Sequence, residues 1–270
     1  MEECSKIKIW KYMDLAKFIY MLVTESLYFA CPLKFNDPYE GLLPKSYIEA
    51  NTNMIAPVVQ DLISIRDQLA NKYPNSIDPQ QSDVKIRDLK NISETIETYK
   101  EVVKKFGVSC WHRSEYESEA MWKVYSSLGQ GIAIESTIER LKLSLGKVEG
   151  LIIDSVRYRN FDNAPLEKDH EHYILFMKRE SFEYEKELRV TICLPKEKER
   201  EGVNILCNLN TLISHVHVSP YASEYFNEVV NILCSRKFGN FEKPVISSKL
   251  LSEPNYKINF GNDESECSLK

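Results

Sequence analysis

Glycine is scarce in this chain: nine of 270 residues, of which only Gly129 and Gly131 stand two apart, about half of the roughly 7% in ordinary usage. Glycine-rich phosphate cradles are therefore missing. No G-x-G-x-x-G follows a strand and no G-x-x-x-x-G-K-[ST] occurs, so a Rossmann cofactor site, a Walker loop and a protein-kinase loop all lack their signal. The H-E-x-x-H and G-x-S-x-G signatures are absent as well. The seven cysteines are odd in number and far apart, with no C-x-x-C pair. In runs such as VTICL and VNILC they read as small buried hydrophobes, and the expectation is a reducing, cytoplasmic compartment. No apolar stretch approaches the roughly 18 residues of a membrane helix, and no signal-peptide pattern opens the chain. Basic excess is lacking too: 35 Lys and Arg against 40 Asp and Glu give a formal charge of −5, which disfavours a protein that scans duplex DNA by phosphate neutralisation.

What is present is an ordinary globular composition, 43% hydrophobic and 28% charged, on a chain long enough for a sizeable core. The fold class expected is α+β: mixed, mainly antiparallel twisted sheets around a cleft, with an inserted helical hairpin at about 45–106. One domain over 1–261 is expected to end in a polar tail at 262–270. The opening reads as strand, helix, strand: Lys8 to Met13, Asp14 as N-cap for Leu15 to Thr24, then Leu27 to Ala30. Ile55, Val58, Val59, Leu62, Ile65 and Leu69 recur at helical spacing. After an interruption at Pro74 to Pro79, Leu89, Ile92, Ile96, Tyr99 and Val103 do the same, a narrow stripe for one partner helix or for a protein partner. Further strands are expected at Val108 to Trp111, Gly131 to Glu135, Val148 to Tyr158, Leu188 to Leu194, Val203 to Cys207 and Leu212 to Val218. Helices are expected near Ser118 to Ser127 and at Glu224 to Leu233. Lys196 to Glu201, alternating in sign before Gly202, reads as a solvated hairpin tip.

Three clusters carry polar chemistry. Phe35-Asn-Asp-Pro-Tyr-Glu-Gly41 sets Asp37 and Glu40 in a Pro-Gly-bounded loop, which holds a ligand or is simply turn chemistry. The segment Cys110 to Tyr125 contains His112, a lone titratable group after an apolar strand. It also carries Trp122 and Tyr125 on one helical face, suited to core packing or to stacking on a planar ligand. The third cluster, Phe182 to Ile192, is the richest. Alternation places Leu188, Val190 and Ile192 on one face and Glu187, Arg189 and Thr191 on the other, with Glu185 joining them if the strand begins early. A carboxylate gripped by an in-strand arginine stays ionised and oriented; the plain alternative is a surface ion pair of small value. His170 with His172, and His215 with His217, are i, i+2 pairs, but two ligands do not make a zinc site and no metal is expected.

The phrases KIWKYMDLAKF, SLYFACPLKFNDPYEG, SCWHRSEYESEAMWKVYSSLGQGIAIEST, SFEYEKELRV, SHVHVSP and VISSKL together resemble the family named domain of unknown function 2971, whose members are mostly bacterial. More distantly the order of elements is similar to ADP-ribosyltransferases. That resemblance implies NAD as substrate. Glu187 is implied as the glutamate that grips the nicotinamide ribose and opposes the oxocarbenium-like charge, and Glu185 as its companion. Lys11 or Tyr12 stands where the class has Arg or His. Trp122 or Tyr125 stacks on nicotinamide, and Asp37, Glu40, His112 and Arg189 line the cleft. The role implied is a bacterial toxin or phage-defence effector acting on a protein or nucleic-acid acceptor. The competing readings are a non-catalytic ligand-sensing or interaction module and, with less support, a nucleic-acid-processing enzyme with Mg²⁺ between Asp37/Glu40 and Glu185/Glu187.

Overall fold

The computed structural model describes residues 6–44, 55–72, 92–126, 129–148, 150–163, 173–198, 201–235 and 241–253. Leu89, the Pro74 to Pro79 interruption, His170, His172 and the polar tail lie outside them. Strand β1 (Lys8–Asp14) hands directly to α1 (Leu15–Thr24), whose first turn is capped by Asp14 accepting from the Lys17 amide, and β2 (Ser26–Ala30) follows. The apolar stripe of α1 is Phe18, Met21 and Leu22, all buried, as helical spacing requires. The helical insertion is α2 (Ile55–Lys72) and α3 (Ile92–Val103), followed by β3 (Phe106–Arg113), α4 (Glu119–Tyr125), β4 (Gly131–Thr137) and α5 (Ile138–Leu145). Then come β5 (Ile152–Ser155), β6 (Arg157–Arg159), β7 (Met177–Arg179), β8 (Glu187–Cys193) and β9 (Gly202–Leu206). Last are α6 (Leu209–Leu212), β10 (His215–Val218), α7 (Glu224–Leu233) and β11 (Val245–Ser247).

Nine strands form one mixed, mostly antiparallel sheet, so the α+β class holds. β4 lies antiparallel between β1 and β10, and β11 runs parallel to β10. β3 pairs with β8 from Phe106 to His112 along one edge. Its other edge is shared, meeting β1 only at Ile9↔Arg113 and Trp10↔His112 and β2 only at Ala30↔Val108. Between those bridges the sheet parts. The Lys11 amine fills the gap, donating to Ser109 Oγ at 3.1 Å and to the Cys110 carbonyl at 3.0 Å, so backbone that no strand satisfies is met by a side chain.

One face of the sheet carries the larger core, with Ile9, Trp111, Ile134, Leu188 and Val190 packed beneath α1, α5 and α7. A second core joins Leu62, Ile65 and Leu69 of α2 and Tyr99, Val102 and Val103 of α3 to Tyr173–Met177. The described part of the two stripes, Leu62, Ile65 and Leu69 with Tyr99 and Val103, is thus packed inside the chain.

Several sequence expectations need correction. Val148 to Tyr158 is not one strand: β5 runs beside β8 only until β8 ends, and the chain then crosses to pair β6 in parallel with β7. Lys196 to Glu201 is no hairpin tip, because β9 pairs with β2 and not with β8. Leu212 closes the one-turn helix α6, capped by Asn208 accepting from the Thr211 amide at 2.8 Å, and β10 begins only at His215. The helix α5, capped by Thr137 and burying Ile138, Leu141 and Leu145, was not expected at all.

Candidate functional site

Partners in an antiparallel register point to the same face, and one row of partners crosses five strands: His215, Glu135, Trp10, His112 and Glu187. This is the face opposite the larger core. The next row holds Tyr12 on β1 and, across the parting, Cys110 and Arg189. Lys11 alternates out of this face: its register partner is Ile134, of the larger core, and its amine reaches only into the gap.

Arg189 is the hub. It is 0% exposed and donates through Nε to Glu187 Oε1 at 2.9 Å, through Nη2 to Glu187 Oε2 at 3.1 Å, and through Nη1 to Glu40 and to the Leu175 carbonyl. Glu40 arrives on the turn that Asp37 begins, where Asp37 Oδ1 accepts the Tyr39 amide at 3.1 Å. Gly41, at φ 69°, ends that turn; a Cβ there would lie 2.6 Å from Val103 Cγ2, so the turn seats flush on α3. Asp37 is also held by Arg179 Nη2 at 2.7 Å, and Arg179 lies over the Tyr39 ring.

Glu185 reaches the site differently from the alternation argument. The strand begins at Glu187, and Glu185 closes a 3-10 turn from Glu180 to Glu185, after which Lys186 takes a left-handed φ of 41°. Its carboxylate accepts from Tyr125 Oη at 2.8 Å and from Lys178 Nζ at 2.5 Å, and Lys178 also contacts Glu187 at 3.4 Å. His112 donates from Nδ1 to the Glu185 carbonyl at 2.6 Å. A carbonyl can only accept, so Nδ1 bears the proton and neutral His112 keeps its lone pair on Nε2.

Burial alone would raise the Glu187 carboxyl, but Arg189 and Lys178 hold it down to about 2. Glu40 goes the other way: burial outweighs its one arginine and lifts its carboxyl. Its Oε2 is buried without a hydrogen-bond partner. Burial lowers both Lys11 and His112, which favours the neutral imidazole. Withdrawing this many charges from water costs several kcal/mol per ion before pairing is counted, and such clusters concentrate at functional sites.

Asp37, Glu40, His112, Tyr125, Glu185, Glu187 and Arg189 therefore form one connected constellation. Tyr12 adjoins it edge-on to His112, with ring centroids 6.1 Å apart. Trp122 is 1% exposed, edge-on to Tyr12, and bonded through Nε1 to Glu117. It packs and presents no free ring, whereas Tyr125 is 41% exposed. The acidic loop and the late strand do meet, but through a cation: Arg189 sits between Glu40 and Glu187, while Arg179 pairs with Asp37 and Lys178 with Glu185 and Glu187, so protein cations already engage the carboxylates that a Mg²⁺ ion would need. Sequence reasoning missed Lys178, Arg179 and Tyr158, whose hydroxyl accepts the Glu187 amide at 2.7 Å. All three come from the small β6–β7 sheet, which has no periodic signal of its own. No helix among the described residues is long and apolar enough to cross a membrane. Comparison of the chain with protein-family models, curated proteins and solved structures finds no match.

Proposed function

We propose that the constellation around Glu187 is the active site of an ADP-ribosyltransferase-like enzyme that splits the nicotinamide–ribose bond of NAD. The observation that carries this reading is Glu187 itself: an ionised carboxylate fixed at both oxygens beside the parting of β1 and β3. The bond from ribose C1′ to the pyridinium nitrogen breaks, and nicotinamide leaves neutral with the electron pair. The positive charge left on the ribose is opposed by Glu187, an electrostatic task that needs an oriented anion and no glycine cradle. A carboxylate has about four lone-pair sites, so Glu187 keeps capacity for a ribose hydroxyl beside its cationic partners. Glu185 is poised by Tyr125 and Lys178, and Tyr125 offers the partly open ring. His112 Nε2 is the base that takes the proton from the attacking acceptor, whether a protein, a nucleic acid or water.

The test is incubation with NAD labelled on the adenylate side, with and without cell lysate or nucleic acid. Glu187-dependent nicotinamide release with label transfer establishes transferase chemistry; release without transfer indicates hydrolysis to ADP-ribose. A second reading is favoured by the same geometry: Glu187 is 4% exposed and paired through both oxygens with Arg189 and Lys178, which suits a lock that fixes a non-catalytic sensing module. Under that reading Glu187→Gln lowers the melting temperature, and the parent chain releases no nicotinamide.

A further inference from the structure

The other end of the cross-strand row holds a different set of groups. Glu135 on β4 faces His215 in register on β10, and His217, two residues on, shares that face. The ligand atoms of Glu135, His215 and His217 all lie within 4.8 Å of one another. Glu135 Oε2 stands 3.0 Å from His217 Nε2 and 3.6 Å from His215 Nδ1. A tetrahedral ion with ligands at roughly 2.0–2.1 Å requires ligand atoms about 3.3 Å apart, and these two separations straddle that value.

We propose that Glu135, His215 and His217 bind one divalent transition-metal ion of the zinc class, with a coordination position left for water. His215 Nδ1 is the independent sign. It is buried, has no hydrogen-bond partner, and lies beyond bonding distance of the carboxylate it approaches; buried imidazole nitrogens are seldom left so. The surroundings orient the other two ligands. Lys8 Nζ holds Glu135 Oε1 at 3.2 Å, which leaves Oε2 to the histidines, and the Trp10 ring meets His217 edge-on at 4.7 Å. Such outer contacts fix ligand geometry in metal sites. Two imidazoles and one carboxylate suit zinc and its neighbours in the first transition row better than Mg²⁺ or Ca²⁺, which favour all-oxygen shells. Glu135 is three strands from Glu187 and the histidines are four, about 14–19 Å at roughly 4.8 Å per strand, so the site stands or falls apart from the NAD reading.

The test uses the full chain, stripped with a chelator and titrated with Zn²⁺ by calorimetry and with Co²⁺ by visible absorption. One ion per chain is expected, with the intense visible bands of low-coordinate Co²⁺ and a melting temperature that rises with added Zn²⁺, since an ion that binds only the folded state stabilises it. His215→Ala and Glu135→Gln should each weaken binding at least tenfold, while a chain carrying both His170→Ala and His172→Ala should bind as the parent does. The His215 side chain is 39% exposed, so His215→Ala keeps the fold and carries the test if Glu135→Gln does not. Absence of a 1:1 complex, or binding that survives His215→Ala and is lost with the His170/His172 pair, overturns the proposal.

Discussion

Glu187 and Arg189 act on each other through both carboxylate oxygens in a place that water does not reach. Removing one partner strands the other. Arg189→Ala should therefore cost about 3–5 kcal/mol, read as a shift in the urea midpoint, and Arg189→Lys should recover little, because an ammonium cannot reproduce the planar two-point grip. The pair also sets a pH dependence. The Glu187 carboxyl is held at about 2 against an ordinary 4.5. A depressed carboxyl contributes stability that is full above 4.5 and is lost as pH falls toward 2. Glu187→Gln should flatten that stretch of the stability profile and leave a lower plateau at neutral pH, measured by denaturant unfolding at successive pH values. Glu135 is likewise held at about 2, chiefly by the His217 hydrogen bond, so part of the acid loss should persist in the variant.

Among the elements, the Asp37–Gly41 turn is the one whose placement matters most, because it delivers Glu40 to Arg189. Gly41 and Gly146 both have positive φ, but a Cβ at Gly41 would strike Val103 whereas one at Gly146 would meet nothing within 4 Å. Alanine at either position incurs the backbone penalty, on the order of 1 kcal/mol. Only Gly41→Ala should add a packing cost and perturb the Arg189 cluster, so its loss of stability should exceed that of Gly146→Ala by roughly 1–3 kcal/mol. Equal losses in paired thermal melts would show that the turn does not depend on its seat against α3.

On the scale of the whole molecule, two cores meet through the β3–β8 pair. Trp111 and Leu188 belong to the larger core, while Phe106 and Cys193, at the other end of the same ladder, belong to the core under α2 and α3. Leu62 is buried in that second core, and Leu62→Ala should destabilise by about 2–5 kcal/mol. Because the two cores share strands, unfolding should remain one transition. Fluorescence from Trp10, Trp111 and Trp122, all outside the second core, should shift together with the far-ultraviolet signal. Two separated transitions would mean that the insertion folds as its own unit.

Local pattern was enough for much of this architecture. Asp14 before an apolar stripe specifies α1, Ser223 before Phe226, Val230 and Leu233 specifies α7, and alternation across Leu188, Val190 and Ile192 specifies the two faces of β8, since caps and periodicity are properties of neighbours in sequence. Thr137 with Ile138, Leu141 and Leu145 carried the same signal for α5, and it was legible. What sequence did not carry is which elements lie side by side. Because β8 begins only at Glu187, β6 finds no partner there and joins a second sheet, and that sheet supplies Lys178 and Tyr158 to the glutamates. The pairing of β4 with β10 sets Glu135 opposite His215, 80 residues away in the chain, and so turns two histidines into a three-ligand cluster. Register between distant strands depends on the packing of the whole sheet and leaves no trace in the spacing along one strand.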